Sequence, residues 1–420
     1  MKKEETIVRE GRAYGADRAN RTNRAYWAYG LIIGLIGLMG LMGCSKDEAS
    51  VKAPGTSTEV EVASFVTLID EVDGSNRAYG ANGAYGADGA YGAHRAWEIP
   101  SGFVAYEDGV QPIGIAFTQN DHEPMIGSFF KSSDKWRTDL ENIAASTSYY
   151  LYGYIPHQTA INYSITDYNG ANGAYSEGAI MKLEKVPTVM PNDLCVVIGA
   201  KHGTDREHDG NNDGTNRLRM GDFEFTSASS ASGNYLFLLF DHLYAALKVN
   251  ISIYADYAKL RTIKLKSLQL STQAGDETTR QRTDITIKLR ATDGSVNPIE
   301  NIAYDQPTTP YPAIDGGLEF WSNSAGTALT TAPQPFIGHF MPLGITRLSL
   351  TSIYDVYDTK ENLIRKDCKV TNSVLLSALF SGQTQTERGK RYTINMTIQP
   401  TYLYMLSEPD LDNPTVVVNN

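Results

Sequence analysis

Period-two alternation is what most constrains the fold of this chain. Leu247–Ile253 (LKVNISI), Asp284–Leu289 (DITIKL), Ile345–Leu350 (ITRLSL) and Tyr392–Ile398 (YTINMTI) alternate apolar and polar residues. Thr262–Leu270 alternates too, with one slip at Ser267 that predicts a β-bulge. Near the start, Thr58–Val66 (TEVEVASFV) puts Val60 and Val62 on one face. Phe103–Tyr106 and Ile113–Phe117 are short apolar runs, and Tyr149–Ile155 is an aromatic one ending at Pro156. Clusters of Gly, Asn, Asp, Pro and Ser part these runs, and long helical patterns are scarce. Alternation of this kind fits antiparallel sheets with one wet face. The expected fold is all-β, two antiparallel β-sandwich domains in series. The chain's 420 residues suffice for two cores. The small polar stretch Phe225–Gly233 is the expected boundary, with domain one at 58–224 and domain two at 234–406. Within the tail 407–420, Ser407–Pro414 reads as a turn-rich linker. Thr415–Val418 (TVVV) reads as an extra strand that pairs with a neighbour or as a frayed end, the second being preferred.

Residues 1–43 read as a signal peptide. Seven basic residues oppose four acidic ones there, followed by the uncharged run Leu31–Met42. That run is too short to span a bilayer and suits a signal core. It ends in Leu41-Met42-Gly43-Cys44, which resembles a bacterial lipobox, so cleavage falls between Gly43 and Cys44 and Cys44 carries fatty acyl chains. A short apolar anchor that ends in Cys is the other reading. Ser45-Lys46-Asp47-Glu48 resembles the acidic signal for export to the cell surface, with Lys46 interrupting it. Residues 44–57 are then a lipidated tether. The whole chain carries a net charge of -11, and loss of the +3 on residues 1–43 takes it to -14. So acidic a chain is a poor nucleic-acid binder, because phosphate contacts need basic patches.

Residues 78–95 are three hexapeptides, AYGANG, AYGADG and AYGAHR. The unit recurs at 13–18 inside the leader and as ANGAY at 171–175. A unit shared by a discarded leader and a mature domain is no solenoid repeat. Gly at this density raises backbone entropy, so 74–96 reads as a mobile inserted loop. A sticky Tyr-rich surface segment is the functional alternative.

Chemistry is sparse. The chain has no nucleophile elbow, phosphate-binding loop or zinc-protease motif. Cys195 and Cys368 fall one in each expected domain, with no His nearby in sequence, and read as buried, inert thiols. His242 follows Asp241 in an apolar run and reads as a hydrogen-bonded core residue. Asp209, Asn211, Asp213 and Gly214 match the opening of a calcium loop, but its twelfth position is Met220 rather than a bidentate Glu. A polar inter-strand loop is the plainer reading; a weak Ca²⁺ site at Asp209, Asn211 and Asp213 is the other. No catalytic residue can be assigned, no cofactor is expected, and the chain does not read as an enzyme.

Four places together resemble the fimbrillin-like lipoproteins of Bacteroides-type bacteria, subunits of type V pili. They are Leu41–Cys44 with the strand at 58–66, and the Arg-Ala pair in His94-Arg95-Ala96-Trp97. The third comprises the strand Tyr149–Pro156, then Asn192-Asp193-Leu194, then Phe240-Asp241-His242-Leu243. The fourth runs from Gly389-Lys390-Arg391-Tyr392 to Tyr402-Leu403-Tyr404. The resemblance implies two transthyretin-like sandwiches without enzymatic activity, and a surface fimbria built of such subunits on the outer membrane. It also implies that a protease cuts after an Arg, here Arg95 or Arg77, so the first strand leaves and a neighbour's strand replaces it. The implied partners are other pilus subunits, the outer membrane through the lipid anchor, and a host or bacterial surface ligand. The alternative is a surface lipoprotein that binds glycan or host ligands without polymerising.

Overall fold

The computed structural model describes residues 59–72, 103–106, 111–133, 135–141, 143–171, 173–203, 218–227, 235–294, 296–305, 307, 309–314, 318–380, 382–399 and 415–419. Strands dominate them. The first eight are β1 (Glu59–Thr67), β2 (Asp70–Val72), β3 (Phe103–Ala105), β4 (Ile113–Thr118), β5 (Met125–Ser132), β6 (Lys135–Thr138), β7 (Ser148–Ile155) and β8 (Asn162–Asp167). Next come β9 (Gly178–Pro187), β10 (Val189–Met190), β11 (Cys195–Gly203), β12 (Glu224–Thr226), β13 (Tyr235–His242), β14 (Ala245–Ile253), β15 (Thr262–Ala274) and β16 (Glu277–Thr278). The last are β17 (Arg282–Arg290), β18 (Ile299–Asp305), β19 (Glu319–Ala328), β20 (Gln334–Phe340), β21 (Arg347–Tyr357), β22 (Leu363–Leu375), β23 (Lys390–Gln399) and β24 (Thr415–Asn419). Among the described residues, helix is confined to single turns at Tyr175–Glu177, Ala255–Ala258 and Leu376–Leu379. None is long and apolar enough to cross a membrane.

The fold is all-β, as the alternation predicts, and its sheets pair off into two layered sandwiches. In the first, β11, β13, β1, β6, β5, β4 and β7 pair in turn, and β7 pairs back onto β11. The sheet thus curls into a ring whose interior holds Val66, Ile115, Leu151, Val197, Leu238 and Phe240. Strand parity sends the intervening residues outward. Tyr152, Tyr154, Phe237 and Leu239 leave the ring and pack against Met181, Ile285 and others of the four-stranded sheet β18-β17-β9-β8. Tyr154 can lie flat across the neighbouring strand because that strand offers Gly114. A Cβ there would collide with the ring's Cε1. In the second sandwich, β10-β20-β14-β23-β2 faces β16-β15-β21-β22 across Leu247, Val249, Leu265, Phe340 and Tyr392.

The bulge at Ser267 is present as a register shift between Leu265 and Ser267. Val60 and Val62 both turn to the ring interior. Other expectations need correcting. The stretch 225–233 does not part the two sheet systems. β13, assigned to domain two, pairs with β1 and β11. β17 and β18 belong to the first sandwich through β9, while β10 lies in the second through β20. The chain crosses between sandwiches several times, and Thr56–Asn420 forms one unit. Ladder bonds between remote strands decide this, and composition along the chain does not carry them. Among the described residues three pairings are parallel, β1–β13, β14–β23 and β2–β23. Thr415–Asn419 is no frayed end, for it pairs antiparallel with β23. The echo at 171–175 is held in place at both ends. Asp167 accepts the backbone N–H groups of Asn169, Ala171, Gly173 and Ala174, and Tyr175 is fully buried.

Candidate functional site

The residues singled out for processing, lipidation and calcium (Arg77, Arg95, Gly43, Cys44, Asp209, Asn211 and Asp213) all lie outside the described residues. Met220, at the twelfth position of the calcium-like loop, packs its side chain against the core of the first sandwich. The site that the tertiary structure assembles is elsewhere, at the end of β13 where the two sandwiches meet.

Its construction follows from strand parity. His242 continues the inward series Leu236, Leu238, Phe240, so its ring turns into the mouth of the β-ring. Opposite it in register stands Cys195, the first residue of β11. Asp193, two residues earlier, shares that parity. All three are buried. His242 Nδ1 donates to Asp193 Oδ2 and lies 3.6 Å from Cys195 Sγ. Its other nitrogen, Nε2, donates to the carbonyl of Thr67 at 2.7 Å. A carboxylate and a carbonyl only accept, so both ring nitrogens carry protons and the ring is an imidazolium. Burial lowers the His242 pKa, but Asp193's hydrogen bond and charge, aided by the Thr67 carbonyl, raise it above the ordinary value.

A second buried carboxylate sits beside the first. Asp241 Oδ1 accepts from Thr67 Oγ1 at 2.8 Å and from the His242 backbone N–H at 2.9 Å. Its Oδ2 accepts from Asn297 at 2.7 Å and from Arg388 at 2.9 Å. Burial raises the Asp241 pKa; the Arg388 guanidinium and these hydrogen bonds more than offset it, and the carboxyl stays below the usual range. Arg388 also donates to the His242 carbonyl. It belongs to the loop before β23, so one guanidinium joins the second sandwich to the first.

Thr67 is the last residue of β1, and both its carbonyl and its hydroxyl are held here. Three residues on, Asp70 donates its N–H to the Gly389 carbonyl at 3.0 Å, and Glu71 pairs with Arg391 at 2.7 Å. Residues 59–72 are therefore a strap. They enter the ring as β1, pass through the junction at Thr67, and end on the edge of β23 as β2. Beyond β2, β24 covers the rest of that edge.

His242 is hydrogen-bonded in the core as its place in an apolar run implies, and Cys195 and Cys368 are buried outside any disulfide. Cys195 nonetheless has a companion His, brought by the β11–β13 ladder from 47 residues away. Asp193 and Asp241 stand in the sequence only as flanking residues of larger patterns. The Asp241-His242 pair inside an apolar run was the one signal for Asp241, since burial obliges such groups to find partners, and Asp193 stood only within Asn192-Asp193-Leu194.

No family model matches the chain, and no curated protein does. Among solved structures the chain is similar to one from Bacteroides fragilis described as a candidate cell adhesion protein, at 9% identity and a TM-score of 0.32, with 86% of this chain and 97% of that one covered. It is also similar to the fimbrial anchor protein Mfa2 from Porphyromonas gingivalis, at 11% identity and a TM-score of 0.23, covering 85% and 95%. A fimbrial protein from Bacteroides ovatus is similar at 9% identity and a TM-score of 0.27, covering 81% of this chain and 49% of that one. At such TM-scores these likenesses carry no part of the functional reading.

Proposed function

We propose that the protein is a structural subunit of a surface fimbria, exported as a lipoprotein anchored at Cys44 and assembled by strand exchange. The observation that carries this reading is the placement of the strap 59–72. β1 is an integral member of the ring, paired with β13 on one side and with β3 and β6 on the other. Yet the only covalent link from β2 onward runs through residues 73–102, where Arg77 and Arg95 are each followed by Ala. A cut after either Arg leaves the strap tied to the rest by hydrogen bonds and packing alone. Its departure uncovers the backbone groups of β13 and of the β23 edge together, and unpaired edges are templates for a strand from another chain. Head-to-tail addition of this kind does not close, and so gives a filament. The buried network at Thr67 favours retention of the strap until such a competitor arrives.

The test is limited trypsin digestion with N-terminal sequencing, followed by gel analysis of cells making the protein. Early cuts giving new N-termini at Ala78 or Ala96 are expected, with detergent-resistant ladders that vanish in the Arg77→Ala, Arg95→Ala double variant. Ladders of normal length from that variant would remove processing in this loop from assembly. A strictly monomeric protein that binds a glycan array would favour the non-polymerising lipoprotein instead.

A further inference from the structure

We infer that Asp193, Cys195 and His242 form a binding site for one zinc-class divalent ion, at the mouth of the ring beneath Thr67. The inference is independent of the fimbrial reading, since it rests only on these three side chains and Thr67. The donors are a thiol, an imidazole nitrogen and a carboxylate, a set that suits zinc and its borderline neighbours rather than calcium or magnesium. One ligand atom from each lies within 4.8 Å of the other two. Zn–S near 2.3 Å and Zn–N near 2.0 Å in a tetrahedron put sulfur and nitrogen about 3.5 Å apart. The Cys195 Sγ to His242 Nδ1 separation is 3.6 Å.

Two further observations point the same way. Asp193 is buried, and its Oδ1 has no hydrogen-bond partner while its Oδ2 accepts the His242 Nδ1–H. A buried carboxylate oxygen left unpartnered is costly, and a cation beside it removes the cost. The ring nitrogen not facing the thiol donates to a backbone carbonyl, that of Thr67. Such a partner is what fixes ring orientation in histidine-ligated metal sites. An ion pair between His242 and Asp193 would need neither the thiol on the same nitrogen nor the second oxygen.

Binding is charge-balanced. The Nδ1 proton and the thiol proton leave to solvent as the ion enters, and no electron is transferred. The ion's two positive charges then meet one thiolate and one carboxylate, with the imidazole neutral, so a buried site gains no net charge. His242 keeps its Nε2–H, and with it the hold on Thr67. Metal occupancy therefore stiffens the ring that grips the end of the first strand.

Cobalt(II) titration tests this on the full chain carrying Cys44→Ser and Cys368→Ala, in which Cys195 is the one remaining thiol. A thiolate-to-cobalt charge-transfer band saturating at one ion per chain, and displaced by Zn²⁺, is expected. Cys195→Ser should abolish the band. His242→Gln should weaken binding by more than the roughly 10–100-fold typical of losing an outer partner. Asp209→Asn with Asp213→Asn should leave the band unchanged, separating this site from the Asp/Asn loop. If Cys195→Ser does not fold, the single-thiol chain still decides. A charge-transfer band in it, with a Zn²⁺-dependent rise in Tm that a chelator reverses, supports the site. A folded single-thiol chain without that band at excess cobalt overturns it, as does a band that survives Cys195→Ser.

Discussion

Asp167 shows how one side chain can order a sequence that would otherwise stay a coil. Its Oδ1 accepts from Asn169 at 3.0 Å and Ala171 at 2.7 Å, and its Oδ2 from Gly173 at 2.9 Å and Ala174 at 2.7 Å. Burial pushes the carboxyl pKa up, but the four N–H groups outweigh it and hold it below the ordinary value. A depressed folded pKa contributes stability that is present above the unfolded pKa, about 3.9, and is lost as pH falls through the folded one. Asp167→Asn turns an NH₂ group toward two backbone donors, which costs about 2 kcal/mol. The expected outcome is a lower Tm at neutral pH, with the gap to the parent narrowing as the pH is taken below about 4 in roughly half-unit steps. A gap that stays constant with pH would mean the charge plays no part. The sequence carried only the ANGAY echo here, because nothing in a Gly/Ala repeat announces that an upstream carboxylate will collect its amides.

At the scale of elements, β23 was legible almost residue by residue. Tyr392, Ile394, Met396 and Ile398 all enter the core of the second sandwich, as the period-two reading of that run requires. Ile394 stands opposite Val249 of β14 in the parallel ladder. Ile394→Asp would bury an unpaired carboxylate at a cost of several kcal/mol. That is comparable with the whole stability of a domain, about 5–15 kcal/mol. The variant is expected to melt far below the parent or to be recovered unfolded, measured by circular dichroism. What alternation did not reveal is which strand lies beside β23. Its edge is shared by β2 and β24, from opposite ends of the described chain, and side-chain pattern is silent on backbone pairing between segments so far apart.

At the scale of the whole molecule, the two sandwiches are stitched together rather than strung in series. β10 reaches into the second sheet system, β17 and β18 return to the first, and the strap 59–72 touches both. Arg388 and Asp241 close the seam with a part-buried ion pair at 2.9 Å. On the proposed reading, a molecule so joined is anchored to the membrane through Cys44, which precedes the strap in sequence. Several acyl chains hold far better than one, each buried CH₂ adding roughly 0.8 kcal/mol. Cys44→Ala is expected to move the protein from the detergent phase to the aqueous phase in a partition assay. Unchanged partitioning would remove lipidation at Cys44 from the reading.

By itself the sequence determined the class of fold, the inward face of β1, β15 and β23, the bulge at Ser267 and the buried state of Cys195, Cys368 and His242. These follow from rules that act over a few residues, namely the period of two, turn chemistry and the cost of burying a polar group. Only the tertiary structure decided that the first sheet closes on itself, that β13 belongs to it, and that the chain recrosses the seam. Ladder hydrogen bonds between backbones leave no trace in side-chain identity, so a boundary drawn from the composition of 225–233 could not see them. The same reason hid the junction. Asp193, Cys195, His242 and Thr67 are ordinary residues in separate stretches of sequence, and they meet only because the β1–β13–β11 register brings their ends to one point, where Arg388 joins them from the loop before β23.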